Sequence, residues 1–146
     1  MRIPHDTAVL VADGRKMLFF RNEGDADYPS LTVIRHREHQ NPPDRDQKSD
    51  ASGQRPSSAT PGGESAEEVD FHVLEEDRFA AEAAEMLKVR AVAGEYAKLL
   101  VVAPPKTLGE LRKHYHKEVE SRLLGEMPKD LTGHPVDQIE RIIAEG

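Results

Sequence analysis

The sequence predicts an α/β fold: a mixed sheet, antiparallel in its first three strands and parallel after them, with helices packed on it. Three observations predict it. Two apolar runs flank an Asp-Gly pair near the start, a continuous apolar run lies at Leu99-Leu-Val-Val-Ala103, and apolar residues recur at helical spacing on either side of that run. The order β-β-β-loop-α-β-α-β-α then follows, and 146 residues are the size of one domain.

Thr7-Ala-Val-Leu-Val-Ala12 and Lys16-Met-Leu-Phe-Phe20 read as a hairpin, because Asp13-Gly14 between them suits the positive φ angles of a tight turn. Ser30-Leu-Thr-Val-Ile34 adds a β-branched third strand. From Gln40 to Asp70 there are four prolines, three glycines and five serines, and Val69 is the one large aliphatic residue. Such a stretch buries too little apolar area to offset its ordering entropy, so a flexible loop within the single domain is expected, either functional or simply disordered.

Glu75 to Ala93 carries Phe79, Ala83, Met86 and Leu87 on one helical face, with acids at its start and Gly94 as its stop. Leu99 to Ala103 fits a central strand covered on both faces. Thr107 and Glu110 have the spacing of a capping box, and Leu108, Leu111, Tyr115 and Val119 give that helix a buried stripe. Leu123 to Met127 reads as a short strand, although the helical pattern also extends to Leu124; Pro128 ends either version. His134-Pro135 opens a last helix with Pro135 at its first position and with Val136, Ile139, Ile142 and Ile143 on its apolar face.

Composition removes several classes of function. With no cysteine, thiolate nucleophiles, disulfide frameworks and iron-sulfur clusters are excluded. No apolar run is long enough for membrane insertion, and no basic-then-apolar leader opens the sequence, so a cytoplasmic protein is expected. The many serines lack a Gly-x-Ser-x-Gly elbow, which argues against a serine hydrolase. Pro61-Gly-Gly-Glu64 follows no apolar strand and is not a phosphate loop. No motif calls for a cofactor.

Metal binding is not expected either. His36 and His39, three apart, fall on opposite faces of a strand, and His114 and His116 diverge by roughly 200° on a helix. Asp13 and Asp130 can face one edge of the sheet, as a metal-dependent nuclease would need, but each is more simply a turn or cap residue. The more informative set is basic. Between Lys98 and Lys129 seven cations face four carboxylates although the whole chain carries a net charge of -7. Lys106, Arg112, Lys113, His116 and Lys117 are therefore candidates for nucleic-acid binding; the bland alternative is a solvated helix face laced with pairs such as Glu118 with Arg122.

Four segments carry a family resemblance: Val11-Ala-Asp-Gly-Arg-Lys-Met-Leu-Phe-Phe20, Glu75-Glu-Asp-Arg-Phe-Ala80, Leu100-Val-Val-Ala-Pro-Pro-Lys-Thr-Leu-Gly-Glu-Leu-Arg112 and Lys129-Asp-Leu-Thr132. Together they resemble the bacterial host-attachment proteins, a family similar in turn to the catalytic middle domain of archaeal and eukaryotic peptide-chain release factors. The resemblance implies an RNase H-like sheet. Thr132, in the last of these segments, joins Asp13 and Asp130 as a further candidate, and the resemblance implies ribosome or tRNA as partner.

In the release factors a Gly-Gly-Gln loop helps water attack the ester of peptidyl-tRNA. The corresponding segment here is Ser52-Gly53-Gln54, so Gly53 and Gln54 are the catalytic candidates, with Ser52 in place of the first glycine. The 40–70 segment nets four negative charges, which is unfavourable beside phosphate. A binding module in translation or ribosome rescue is the leading expectation; the alternative is a non-catalytic protein-interaction module affecting attachment to host cells.

Overall fold

A computed structural model describes residues 1–34 and 72–146. Residues 35–71, including the whole 40–70 segment and with it His36, His39, Gly53 and Gln54, lie outside the described residues. Met1–Val33 and Phe71–Gly146 form one compact unit, whose architecture follows.

β1 (Ala8–Ala12) is buried at all five positions, as a run of small and aliphatic residues permits when both sheet faces are covered. It pairs antiparallel with β2 (Lys16–Asn22), Ala12 opposite Met17 and Ala8 opposite Arg21. The turn between them divides its labour. Gly14 alone takes a positive φ, 101°, while the Asp13 Oδ1 accepts from the N–H groups of Arg15 at 2.9 Å and Lys16 at 2.7 Å.

β3 (Leu31–Val33) completes the expected meander, with Leu31 opposite Asn22 and Val33 opposite Phe20. A strand that sequence reading missed, β4 (His72–Val73), pairs with the same β2 edge, His72 opposite Met17 and Val73 opposite Lys16. Both run antiparallel to β2 and are separated along it only by Leu18 and Phe19. They are two halves of one edge strand, and residues 34 to 71 are inserted into its middle.

A 3₁₀ turn (Glu76–Arg78) leads into α1 (Phe79–Val92), so the acids expected at the helix start occupy the tight turn before it. Phe79, Ala83, Leu87 and Ala91 are buried at intervals of four, and Gly94 with φ 77° ends the segment as read. β5 (Leu99–Val102) is wholly buried and lies parallel to β1 on one side and to β6 (Leu123–Met127) on the other. The sheet order is β3-β2-β1-β5-β6, a mixed α/β arrangement with its antiparallel part first.

The single helix expected from Thr107 to Val119 is two: α2 (Pro105–Arg112) and α3 (Lys117–Glu120). Lys113 and His114 close α2 with short bonds to the carbonyls of Glu110 and Leu111, and the His116 Nδ1 accepts from the Glu118 N–H at 3.0 Å to start α3. The capping box does not form. Pro104 is the N-cap, Pro105 opens the helix, and no side chain caps it, which places Thr107 inside the first turn. α1 packs against both α2 and α3.

α4 (Val136–Glu145) begins one residue later than expected, with Pro135 as its N-cap, and buries Ile139 and Ile143. Two long-range bonds hold it: the Glu140 carboxylate accepts from the Leu31 N–H at 2.7 Å, and the Met1 ammonium donates to the Ile143 carbonyl at 2.6 Å. Among the described residues no helix is long and apolar enough to cross a membrane.

Candidate functional site at the carboxyl edge of the parallel strands

β1, β5 and β6 run parallel, so their carboxyl ends share one edge of the sheet. After β1 the chain turns toward β2, and after β5 it turns toward β6. The two connections diverge and leave a crevice between them, the usual place for a ligand in an open α/β sheet. A cleft of about 560 Å³ lies there, lined by Asp13 and Gly14, by Lys106, Thr107, Glu110 and His114 of α2 and the loop after it, and by the turn that opens α1.

Asp13 is the pivot of this edge. Its Oδ1 is held by the turn, and its Oδ2 accepts from the Thr132 hydroxyl at 3.0 Å; the same hydroxyl lies 3.4 Å from the Asp130 carboxylate. Burial raises the Asp13 pKa, but the Lys16 and Arg15 N–H groups and the Thr132 hydroxyl together outweigh it and hold the carboxyl below its ordinary value. Thr132 and Asp130 line a second, shallower cleft with His134 and Gln138, so the Asp13–Thr132 bond is the wall between the two. The structure thus brings Asp13, Asp130 and Thr132 together.

The Pro104-Pro105 pair that ends β5 sets the chemistry of the α2 entrance. Proline fixes φ near the helical value and supplies no N–H at the first position, and the first intrahelical bond runs from Leu108 N–H to the Pro104 carbonyl at 2.9 Å. The N–H groups of Lys106 and Thr107 precede it and have no helical acceptor. Thr107, read in sequence only as a cap, is 8% exposed and places its hydroxyl against Gly14: a Cβ there would come within 3.3 Å of the Thr107 Oγ1.

The basic candidates do not form one strip. Lys106 and Lys117 are exposed and make no ion pair among the described residues. Arg112 donates through Nε at 3.0 Å and Nη2 at 2.5 Å to one Glu126 oxygen, and Lys113 sits 3.5 Å from the Glu110 carboxylate. His116 is the α3 cap, and Arg122 is structural, bonded to the Tyr96 carbonyl and to Glu118, whose carboxyl that bond lowers in pKa. The strip is broken because the helix is broken: α2 and α3 point their cations separately. Among the described residues no group of three metal-binding side chains converges.

The fold and this edge define a mixed α/β domain with an open crevice beyond its parallel strands. Its family is equally plain: the chain belongs to the bacterial archaeo-eukaryotic release factor family 12, whose family model matches residues 6–143. This bears out the release-factor relationship read from the residues. A search of curated proteins found no match.

Proposed function

We propose that this protein is a cytoplasmic ribosome- or tRNA-associated factor of translation or rescue, built on an RNase H-like sheet. The observation that carries the reading is membership of a release-factor family over nearly the whole chain. The strand order β3-β2-β1-β5-β6, antiparallel then parallel, supports the RNase H-like assignment. Insertion of residues 34 to 71 into one edge strand supports comparing that segment with the release-factor catalytic loop.

RNA is held by Lys106, Arg112, Lys113, His116 and Lys117 in this reading. The Lys113–Glu110 pair does not oppose it strongly, since exposed ion pairs are worth only about 0–1 kcal/mol and exchange readily for phosphate; Arg112 is held by the largely buried Glu126 carboxylate and is the weaker candidate. Gly53 and Gln54 are the proposed hydrolytic pair. Ser52 in place of the first glycine makes binding the primary activity and peptidyl-tRNA hydrolysis the secondary one. Where hydrolysis is measured, Gln54→Ala abolishes it.

A second reading, a protein-interaction module affecting attachment to host cells, is favoured by the same carboxylate pairing and by the acidity of the 40–70 segment. A pull-down from cell lysate with and without nuclease separates the two. Ribosomal components that disappear on nuclease treatment are expected; protein partners that survive it would replace the first reading with the second.

A further inference from the structure

The outer face of α1 carries apolar side chains that the fold itself does not use. Opposite the buried row of Phe79, Ala83, Leu87 and Ala91, the solvent side presents Ala81, Glu85, Val89 and Val92, with Lys88 beside Glu85. Val89 is 54% exposed and Val92 65%. Valine is a weaker helix former than alanine or leucine, because its branched side chain loses χ1 freedom. Neither helix propensity nor the core therefore accounts for two exposed valines three residues apart in the last turns. Neighbouring apolar side chains rimmed by charge have the form of a contact surface. The charges here are Glu85 and Lys88, both partly exposed and 3.5 Å apart.

We propose that this face is an isologous interface, on which α1 packs antiparallel against α1 of a second copy of the chain. The stripe is its own complement when reversed. A two-fold axis midway between Glu85 and Lys88 sets Glu85 at the height of the second copy's Lys88, and Ala81 at the height of its Val92, each twice. Small therefore meets large at both ends of the contact, and Val89 enters the gap between Ala81 and Glu85 of the second copy. At the axis the two Glu85–Lys88 pairs close into a ring of four charges of alternating sign. Nucleic acid is a poor occupant, since Glu82 and Glu85 lie on the same side of the helix. One pair of helices makes a contact at the small end of the range for specific interfaces, so the dimer is weak and concentration-dependent. The inference goes beyond ribosome association and does not depend on it.

Sedimentation equilibrium of the full chain over a concentration series reaching about 1 mM tests the interface. A reversible monomer–dimer equilibrium is expected. Glu85→Lys sets a lysine against Lys88 of the second copy, and Lys88→Glu sets a glutamate against its Glu85. Each variant alone should therefore associate about tenfold more weakly than the parent. Mixed in equal amounts, the two should form a heterodimer with close to the parent's affinity, because every opposed pair is again of opposite sign. Val92→Gln, which favours the helix, should also weaken association about tenfold, and an unchanged helical circular dichroism signal separates that loss from unfolding. The proposal is overturned by a chain that stays monomeric throughout the series, which would leave the face to a different partner. It is equally overturned by a dimer that these variants leave unchanged, or by a mixture of the charge variants that associates no better than either alone.

Discussion

The Thr132 hydroxyl donates to the Asp13 carboxylate across 3.0 Å and ties the end of β1 to the loop after β6, 119 residues away in sequence. Because the donor is nine-tenths buried and the acceptor is half-buried, its removal strands a carboxylate oxygen at the wall between two clefts. Thr132→Val is expected to destabilise the fold by about 1–2 kcal/mol, and a cycle with Asp13→Asn to give a coupling of about 1 kcal/mol. Denaturant unfolding of the four proteins measures both; strictly additive effects would mean that the bond contributes nothing.

Asp13 also gives the fold an acid dependence. Its folded pKa lies below the ordinary 3.8, so its contribution is fully present above that pH and is lost as the pH falls through the folded value. Asp13→Asn is expected to be less stable at neutral pH and to lose less stability than the parent on acidification below about pH 4. Parallel stability curves for the two proteins in that range would contradict the assignment.

Tyr96 acts at the other end of the scale. Its hydroxyl donates to the Leu87 carbonyl at 2.8 Å, its ring meets Phe19 edge-on, and burial pushes its pKa up to about 12 despite the opposing charges of Arg122 and Arg90. A raised phenol pKa contributes stability below the unfolded value of 10.0 that is lost as the pH climbs toward 12. Alkaline unfolding should therefore steepen in that window, by up to about 2–3 kcal/mol from this residue. Tyr96→Phe should flatten it, at a neutral-pH cost of about 1 kcal/mol for the lost hydrogen bond. Tyr115, raised in the same direction by burial, keeps part of the slope.

Asn22 organises the β2–β3 turn from a fully buried position. Its amide nitrogen donates to the carbonyls of Ile3 at 3.0 Å and Pro4 at 3.2 Å, and its oxygen accepts from the N–H groups of Gly24 and Ser30, each at 2.9 Å. Asn22→Ala should cost about 2–4 kcal/mol because buried groups on both sides lose their partners. Asn22→Asp, though isosteric, turns a carboxylate oxygen toward the carbonyls of Ile3, Pro4 and Asp25 and should cost more at neutral pH, with the gap to alanine narrowing in acid as the carboxyl takes up a proton. An aspartate variant as stable as the parent would refute this account of the turn.

Much of the fold is legible in the sequence because its signals are local. The β1–β2 hairpin, the four-residue spacing of Phe79, Ala83 and Leu87, and the buried run at Leu99 each announce themselves within a few residues. The α2–α3 break is local too, but Thr107 and Glu110 offer a capping pattern that the Pro104-Pro105 pair overrides by placing the N-cap three residues earlier. β4 escapes detection because a two-residue strand has no periodicity, and only its register on β2 reveals that it continues β3. The site is the least legible. Asp13 meets Thr132, and Gly14 meets Thr107, only because three parallel strands end at one edge, and no spacing in the chain encodes that.

Sedimentation of the full chain with ribosomes across a salt series tests the release-factor reading most directly. Co-migration at low salt is expected, falling steeply as salt rises in proportion to the phosphates contacted, and weakening further in a Lys106→Gln, Lys117→Gln double variant. A protein that stays at the top of the gradient even at the lowest salt would contradict the account.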